Sequence, residues 1–576
     1  MYIRLIFLTL GDKSINNNRD TMSETITIYC KNNNTYKEVP IGSSLLDIYS
    51  LVGAPLRLRP MNAQVNNKTE GLTFRCWHPK DVEYVDYTQL SGMRTYVRSL
   101  CHIFSKAVND VLPSATLNLE HPISKGYYCV IHNGKDIDEE TIGKIKKRMR
   151  EIIDADLPFH LKTIRTIDAA VLFRERGMND KARLIESAGM PYTSYYELDG
   201  YINYFYGCLT PSTGYIQVFD LVPYFDGVLL RVPQRTNPTE LEPVIRQDKM
   251  FQVYKEHLTL QRTVGLDNVG DLNRAIEKGM TSEVVMVSEA MQEKQVAKIA
   301  EEIAARYDNG VRIVLISGPS SSGKTTFCKR LQVQLITNLI HPVGLSLDDY
   351  FLNREDTPKD ESGEYDFESL YALDLPYFNS ELQKLLSGEE IEVPSFNFET
   401  GRRVFKGKKL KMQKNSVLVI EGIHALNPEL TSIIEDCYKY RIYVSVLTSI
   451  SLDNHNWIPT TDNRLLRRII RDYRFRGYSA RDTIARWPSV RRGEDKWIFP
   501  YQENADAMFN SAMLYELAAL RKEAEPILGE VRECDPENAE AYRLLRFLRY
   551  FNYIPDVGLP GTSLLREFLG GGSFRY

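Results

Sequence analysis

The chain has 576 residues, 43% of them hydrophobic and 26% charged, with 72 Lys+Arg against 76 Asp+Glu and a formal net charge of −4. These proportions exclude a wholly disordered or collagen-like chain, and at about one domain per 150 residues they leave room for three or four domains. There is no overall basic excess of the kind that marks a nucleic-acid binder, so any polyanion site has to be local.

Eight cysteines (Cys30, Cys76, Cys101, Cys129, Cys208, Cys328, Cys437 and Cys534) are scattered without a CxxC pair. That is the pattern of a reduced, cytoplasmic protein rather than a disulfide scaffold or zinc ribbon. No apolar run reaches the roughly 18 residues of a membrane span, so no membrane partner is expected. The apolar start at residues 2–10 is short and lacks a cleavage site, so it does not read as a signal peptide. Residues 1–21 read as a disordered extension, with Met22 as a candidate natural start.

The period-2 alternation of residues 25–30, an Asn-rich turn, a second strand over 36–41 and a Ser-capped helix over 43–52 predict a small β-grasp-like unit spanning 22–88. Residues 89–230 mix helices and strands. Helices are predicted over 95–111 and 138–152, and strands over 202–206 and 216–221. Residues 231–295 read as a connector, because 231–285 shows turn residues and little period; a helix over 291–307 follows. From 311 onward, near-continuous apolar strands (311–317, 343–347, 416–420, 441–447) alternate with helices. That alternation marks a doubly wound α/β parallel sheet, assigned to a domain over 296–520. A helical tail over 521–576 ends in Gly570-Gly571-Gly572, expected to fray.

The strongest motif is Gly318-Pro-Ser-Ser-Ser-Gly323-Lys324-Thr325, a complete GxxxxGK[ST] placed directly after a strand and before a helix. Its glycines let successive amides face a phosphate, and the helix N-terminus adds positive potential. Gly318, Ser320, Ser321, Ser322, Gly323, Lys324, Thr325 and Thr326 are the candidate nucleotide-binding residues, with Lys324 on the β- and γ-phosphates and Thr325 on Mg²⁺. Asp348 closes the second strand at the crevice where open α/β sheets bind ligands, placed to take the proton of an attacking hydroxyl; Asp349 reads as a helix cap. Glu421 ends the third strand as a second candidate Mg²⁺ residue. Ten arginines fall within 464–492. Half of them read as a solvated face, and the others as a lid over transferring phosphates.

In order, the motifs GPSSSGKT, SLDDYF, YDFES, VPSFNFETGRR, VIEGIHAL and DNRLLRRIIRD followed by FRG resemble the uridine kinase and phosphoribulokinase family over about residues 311–515. The resemblance implies a P-loop NTPase fold and an ATP- and Mg²⁺-dependent transfer of phosphate to the 5′-hydroxyl of a nucleoside. Asp348 is then the base, Glu368 the ribose grip, and Arg468, Arg471 and Arg476 the arginines on ribose and phosphate. Tyr350 and Phe396 join Asp348, Glu368 and Arg468 in the acceptor site. Two departures stand out: the family's base-recognising Tyr and His positions read Phe396 and Gly401. Another nucleoside, or another small alcohol, is therefore an open acceptor.

The front half is similar to threonyl-tRNA synthetases: 22–88 to their TGS domain and 89–230 to their editing domain. The HxxxHxxxH helix of that family reads Arg98, His102 and Lys106 here, and its Cys-x-x-x-His reads Cys208 and Ser212. Metal binding needs about three or four converging ligands, so no zinc is expected, and His102 and Cys208 are expected in the core. The resemblance leaves a tRNA or RNA contact through the front half as a second reading, with the kinase half as a nucleotide-operated switch. A dimerising platform is a third, and a homo-oligomer is expected.

Overall fold

The computed structural model describes residues 24–360, 363–397, 399–555 and 558–575; the expected N-terminal extension and Met22 lie outside them. Strand Thr25–Cys30 pairs antiparallel with Thr35–Pro40 and parallel with Lys80–Val85, within a five-stranded sheet completed by Asn62–Val65 and Lys68–Glu70. Helix Leu45–Val52 opens on a capping box in which Ser44 and Asp47 satisfy each other's backbone N–H, and it buries Leu45, Ile48 and Val52.

The next unit sets the long helix Leu90–Val111 and helix Glu139–Asp154 on a four-stranded antiparallel sheet, ordered Asp220–Tyr224, Gly227–Arg231, Gly126–His132 and Thr116–Ile123. A three-stranded sheet has Tyr192–Leu198 at its centre, between His160–Arg165 and Tyr201–Asn203. Residues 216–219 are not strand, contrary to the alternation. Their apolar side chains Ile216 and Phe219 are buried, but the backbone is satisfied by a side chain instead of a neighbouring strand. Tyr96 Oη accepts from the N–H groups of Gln217 and Val218 and donates to the Val218 carbonyl.

The expected connector is helical: Asp248–Thr263 and Val269–Glu277 occupy it, and the helix expected at 291 begins at Thr281 and runs to Tyr307. The buried face of the first contains Tyr254, His257 and Gln261 beside Met250, Phe251 and Leu258, and that mixture hides the apolar period.

The C-terminal half holds a five-stranded, all-parallel sheet ordered His341–Ser346, Ser416–Glu421, Ile313–Ser317, Lys439–Ser445 and Ala507–Asn510. Four of these are the apolar runs read from the sequence. The fifth is a four-residue edge strand, too short to show a period. Helices Glu516–Gly529 and Asn538–Leu548 pack on this domain. The final segment is not frayed before its last residues: Leu564, Leu565, Phe568 and Leu569 are buried in the same core as the sheet.

Two polar joints lock the halves together. Lys181 Nζ lies 2.7 Å from Asp453 Oδ1, both groups being essentially inaccessible. Asp453 also accepts from His455 N and Asn456 Nδ2, and neighbouring Asn454 is held through both backbone groups by Asp180 and Leu119. At the second joint, Arg94 pairs with Glu540 at 2.8 Å and Arg543 with Asp462 at 2.7 Å. Removing one member of a buried pair leaves an uncompensated charge. Lys181→Met is therefore expected to destabilise the protein by about 3–5 kcal/mol in chemical denaturation, and the double variant Lys181→Met/Asp453→Asn to recover part of that loss.

Candidate nucleotide site

The loop between Ile313–Ser317 and helix Lys324–Thr337 curls as the motif requires. Ser321 (φ +58°) and Gly323 (φ +82°) are left-handed, and Ser322 N–H closes a turn on the Pro319 carbonyl at 3.2 Å. The hydroxyls of Ser321 and Ser322 are buried without a hydrogen-bond partner among the described residues. Lys324 folds over the loop and donates to the Pro319 carbonyl at 3.1 Å; burial lowers its pKa, while Glu421, Asp348 and Glu567 oppose that shift. The resulting cradle of amides, hydroxyls and one ammonium group fits a chain of phosphates.

Thr325 Oγ1 donates to Glu421 Oε1 at 3.3 Å, and Ser346 Oγ reaches the same oxygen at 3.4 Å. These are hard oxygen donors beside the phosphate cradle. No cluster of three or more His, Cys, Asp or Glu side chains fit to hold a metal exists among the described residues. A site with one or two protein oxygens, completed by phosphates and water, fits Mg²⁺ rather than a metal that requires a full protein cage. Burial, with Asp348 beside it, pushes the Glu421 carboxyl up to about 7.

Asp348 stands in the turn that follows His341–Ser346, close enough to act electrostatically on Lys324, Glu421 and Arg476. Asp349, read as a cap, accepts the Phe396 N–H at 3.3 Å and so ties strand Ile391–Asn397 to the turn that carries Asp348. Phe396 lies 5.6 Å from the Phe351 ring, an apolar wall. Gly401 packs on Arg354, whose N–H donates to the Gly401 carbonyl at 2.8 Å. Tyr350 is not brought into the site: its ring is fully buried against Tyr377 and Phe378.

Of the ten arginines, Arg474, Arg481, Arg486 and Arg492 are exposed, close to the half expected on a solvated face; the others turn inward. Arg464 and Arg467 are among the most buried large side chains of the protein. Arg464 Nε donates to the Ser320 carbonyl at 3.0 Å and pairs with Glu494; Arg467 Nη1 donates to the Ser321 carbonyl at 3.3 Å and pairs with Glu516. Arg468 Nη1 donates to Ser320 Oγ at 2.8 Å. Asp472 gathers Arg471 (2.8 Å), Arg468 (3.2 Å) and Arg476 (3.7 Å) into one fan. Burial pushes the Asp472 carboxyl up, but the three guanidinium groups outweigh it and hold it below the usual range.

Sequence reasoning missed Glu494. It is fully buried in helix Ala480–Trp497 and accepts the Ser320 N–H at 3.1 Å, besides Arg464 and Arg491. The available signal was an acid inside an arginine run. Gly493 next to it lets the helix approach Glu368: a Cβ there would stand 2.2 Å from Glu368 Cβ. Glu368 has a buried Oε2 with no hydrogen-bond partner among the described residues, and burial raises its pKa to about 7 against the pull of Arg468.

In the front half, the helix row Arg98, His102 and Lys106 makes contacts within the fold. Arg98 Nε donates to the Cys208 carbonyl at 3.1 Å, and Lys106 pairs with Asp110 and Asp199 at 3.3 and 3.2 Å. His102 is buried among Phe159, Tyr201 and Phe205, and burial lowers its pKa to about 3.

A strand, a phosphate-binding loop and a helix, backed by an all-parallel sheet, define a P-loop nucleotide-binding domain. Residues 313–517 match the Phosphoribulokinase / Uridine kinase family, so the C-terminal region carries a domain of that family. The uridine kinase of Schizosaccharomyces pombe is 32% identical over 196 residues, covering 34% of this chain and 37% of its own length. The N-terminal part is homologous to threonine–tRNA ligases: that of Citrifermentans bemidjiense is 26% identical over 185 residues, 32% of this chain and 29% of the ligase. The chain thus spans less than a third of that ligase's length. Among solved structures, a possible uridine kinase from Bacillus stearothermophilus shares 15% identity, covering 37% of this chain and 98% of its own, at a TM-score of 0.25.

The raised pKa of Glu368 means that the folded protein holds this proton more tightly than the unfolded chain. Its contribution to stability is complete below about pH 4.5 and is lost as pH rises through about 7. Thermal melting without nucleotide should therefore decline from pH 5 to 8, and Glu368→Gln should flatten that decline. Equal slopes for the two proteins would remove Glu368 as a source of it.

Proposed function

We propose that this protein is an ATP- and Mg²⁺-dependent kinase that transfers the γ-phosphoryl group to the 5′-hydroxyl of a nucleoside. The observation that carries this reading is convergence: Lys324, Thr325, Glu421, Asp348 and the Arg468–Arg471–Arg476 fan meet at the C-terminal ends of the parallel strands. Asp348 accepts the proton of the attacking hydroxyl. Lys324 and the arginine fan neutralise charge on the transferring group, and the loop amides fix its line of attack. Thr325 and Glu421 would hold Mg²⁺, which would neutralise phosphate charge when bound. Glu368 holds the sugar hydroxyls through its free carboxyl oxygen. The Phe351–Phe396 wall takes an apolar ring face and offers no side-chain polar group of its own, so a base other than uracil, or another small alcohol, suits it as well as uridine does.

Asp348→Asn should retain ATP binding and lose about 10²–10⁴-fold in kcat, the usual worth of a general base. Near-normal turnover would take Asp348 out of that role. Lys324→Ala should abolish transfer, and retained activity would sink the loop assignment. An ADP-release screen over nucleosides, ribose derivatives and polyols identifies the acceptor. If no nucleoside serves, the nucleoside reading falls and the kinase reading stands on any alcohol that does.

The homology of the N-terminal part to threonine–tRNA ligases favours a second reading, contact with tRNA. Filter binding of tRNA at two salt concentrations should show affinity that falls with salt; binding that is absent or insensitive to salt rejects it.

A further inference from the structure

The final described segment reaches the nucleotide site from the far end of the chain. Glu567 Oε2 accepts the Thr326 N–H at 3.1 Å and the Thr326 hydroxyl at 2.7 Å. Thr326 is the third residue of helix Lys324–Thr337, so its amide is one of the first-turn donors that have no acceptor within the helix and that a P-loop helix turns toward phosphate. A carboxylate at such a helix end gains from the same dipole and the same N–H groups as a phosphate does. Glu567 also acts electrostatically on Lys324 and Glu421, the ammonium and carboxyl groups at the centre of the site.

The contact is built rather than incidental. Leu564 lies directly on the loop: a Cβ added at Gly323 would stand 2.6 Å from Leu564 Cδ2. Leu564, Leu565 and Phe568 are fully buried. The Phe568 ring sits 5.1 Å under the Arg467 guanidinium, and Arg474 donates to the Leu569 carbonyl. The segment is thus anchored on helix Thr460–Phe475, which also supplies Arg464 and Arg467 to the loop carbonyls and Arg468 and Arg471 to the fan.

We infer that the C-terminal segment is an internal competitor for the nucleotide's phosphate chain, with the Glu567 carboxylate standing where the α/β-phosphate region meets the Thr326 amide. This rests on the P-loop reading above and adds its regulation. Nucleotide entry requires Glu567 to leave Thr326, and the resident negative charge sets a threshold on nucleotide affinity. Because the same helix anchors the segment and carries the arginine fan, release of Glu567 and alignment of the fan draw on one element.

The test is equilibrium binding to the full-length protein, with ATP and inorganic tripolyphosphate as separate probes. Glu567→Ala should tighten both by the same factor, on the order of tenfold, the usual worth of a charge-assisted hydrogen bond. Glu567→Gln, which keeps an acceptor oxygen and loses the charge, should fall between wild type and Glu567→Ala. Melting curves establish folding, and Glu567→Gln carries the test alone if Glu567→Ala does not fold. Unchanged or weaker affinity in a folded variant overturns the competitor assignment and leaves the kinase reading standing. Absence of ATP binding in wild type and both variants overturns the kinase reading and this inference together.

Discussion

Two buried guanidinium groups hold the backbone of the phosphate loop in shape, and the geometry of the site follows from them. Arg464 and Arg467 take the carbonyls of Ser320 and Ser321, which fixes the orientation of these two peptides and with it the course of the loop. A buried cation is tolerated only when paired, and Glu494 and Glu516 supply the counter-charges from two different helices. Glu494 also takes the Ser320 N–H, so one carboxylate ties helix Ala480–Trp497 to the loop and to helix Thr460–Phe475. Loop, helix Thr460–Phe475 and helix Ala480–Trp497 are therefore one polar unit inside an apolar core.

That unit extends to both ends of the chain. Asp462, on the arginine helix, is held by Arg543, and Arg543 shares Glu540 with Arg94 of the front half. The last described segment lies on the opposite side of the same helix and touches the loop through Leu564 and Glu567. The front half is thus not a loosely tethered appendage. Its helix Leu90–Val111 is hydrogen-bonded into the network that positions the arginines.

In the front half, the helix row Arg98, His102 and Lys106 is occupied by contacts of its own. Three helix positions one turn apart carry Arg98, His102 and Lys106, two of them permanent cations already engaged with a carbonyl or carboxylates. A positive charge at either end of the row opposes a further cation, and burial keeps His102 neutral between aromatic rings. The Arg98 guanidinium ties this helix to the loop at Cys208.

The sequence by itself determined the parallel sheet and the loop. Strands buried on both faces are continuous apolar runs, and a phosphate loop needs fixed residues at fixed spacing, so both are written locally. The capped helix at Ser44 was legible for the same reason. The helical stretch 248–277 was not, because its buried face mixes aromatic and polar side chains whose burial depends on distant partners. Nor was the division among the arginines: Arg464 and Arg468 are four residues apart in one repeat, and only the packing of Glu494, Glu516 and Asp472 decides which guanidinium groups take the loop carbonyls and which gather on Asp472. The placement of Glu567 on Thr326, 241 residues away in sequence, belongs to the tertiary structure alone, since a single glutamate in a short terminal helix carries no local mark of the helix end it will meet.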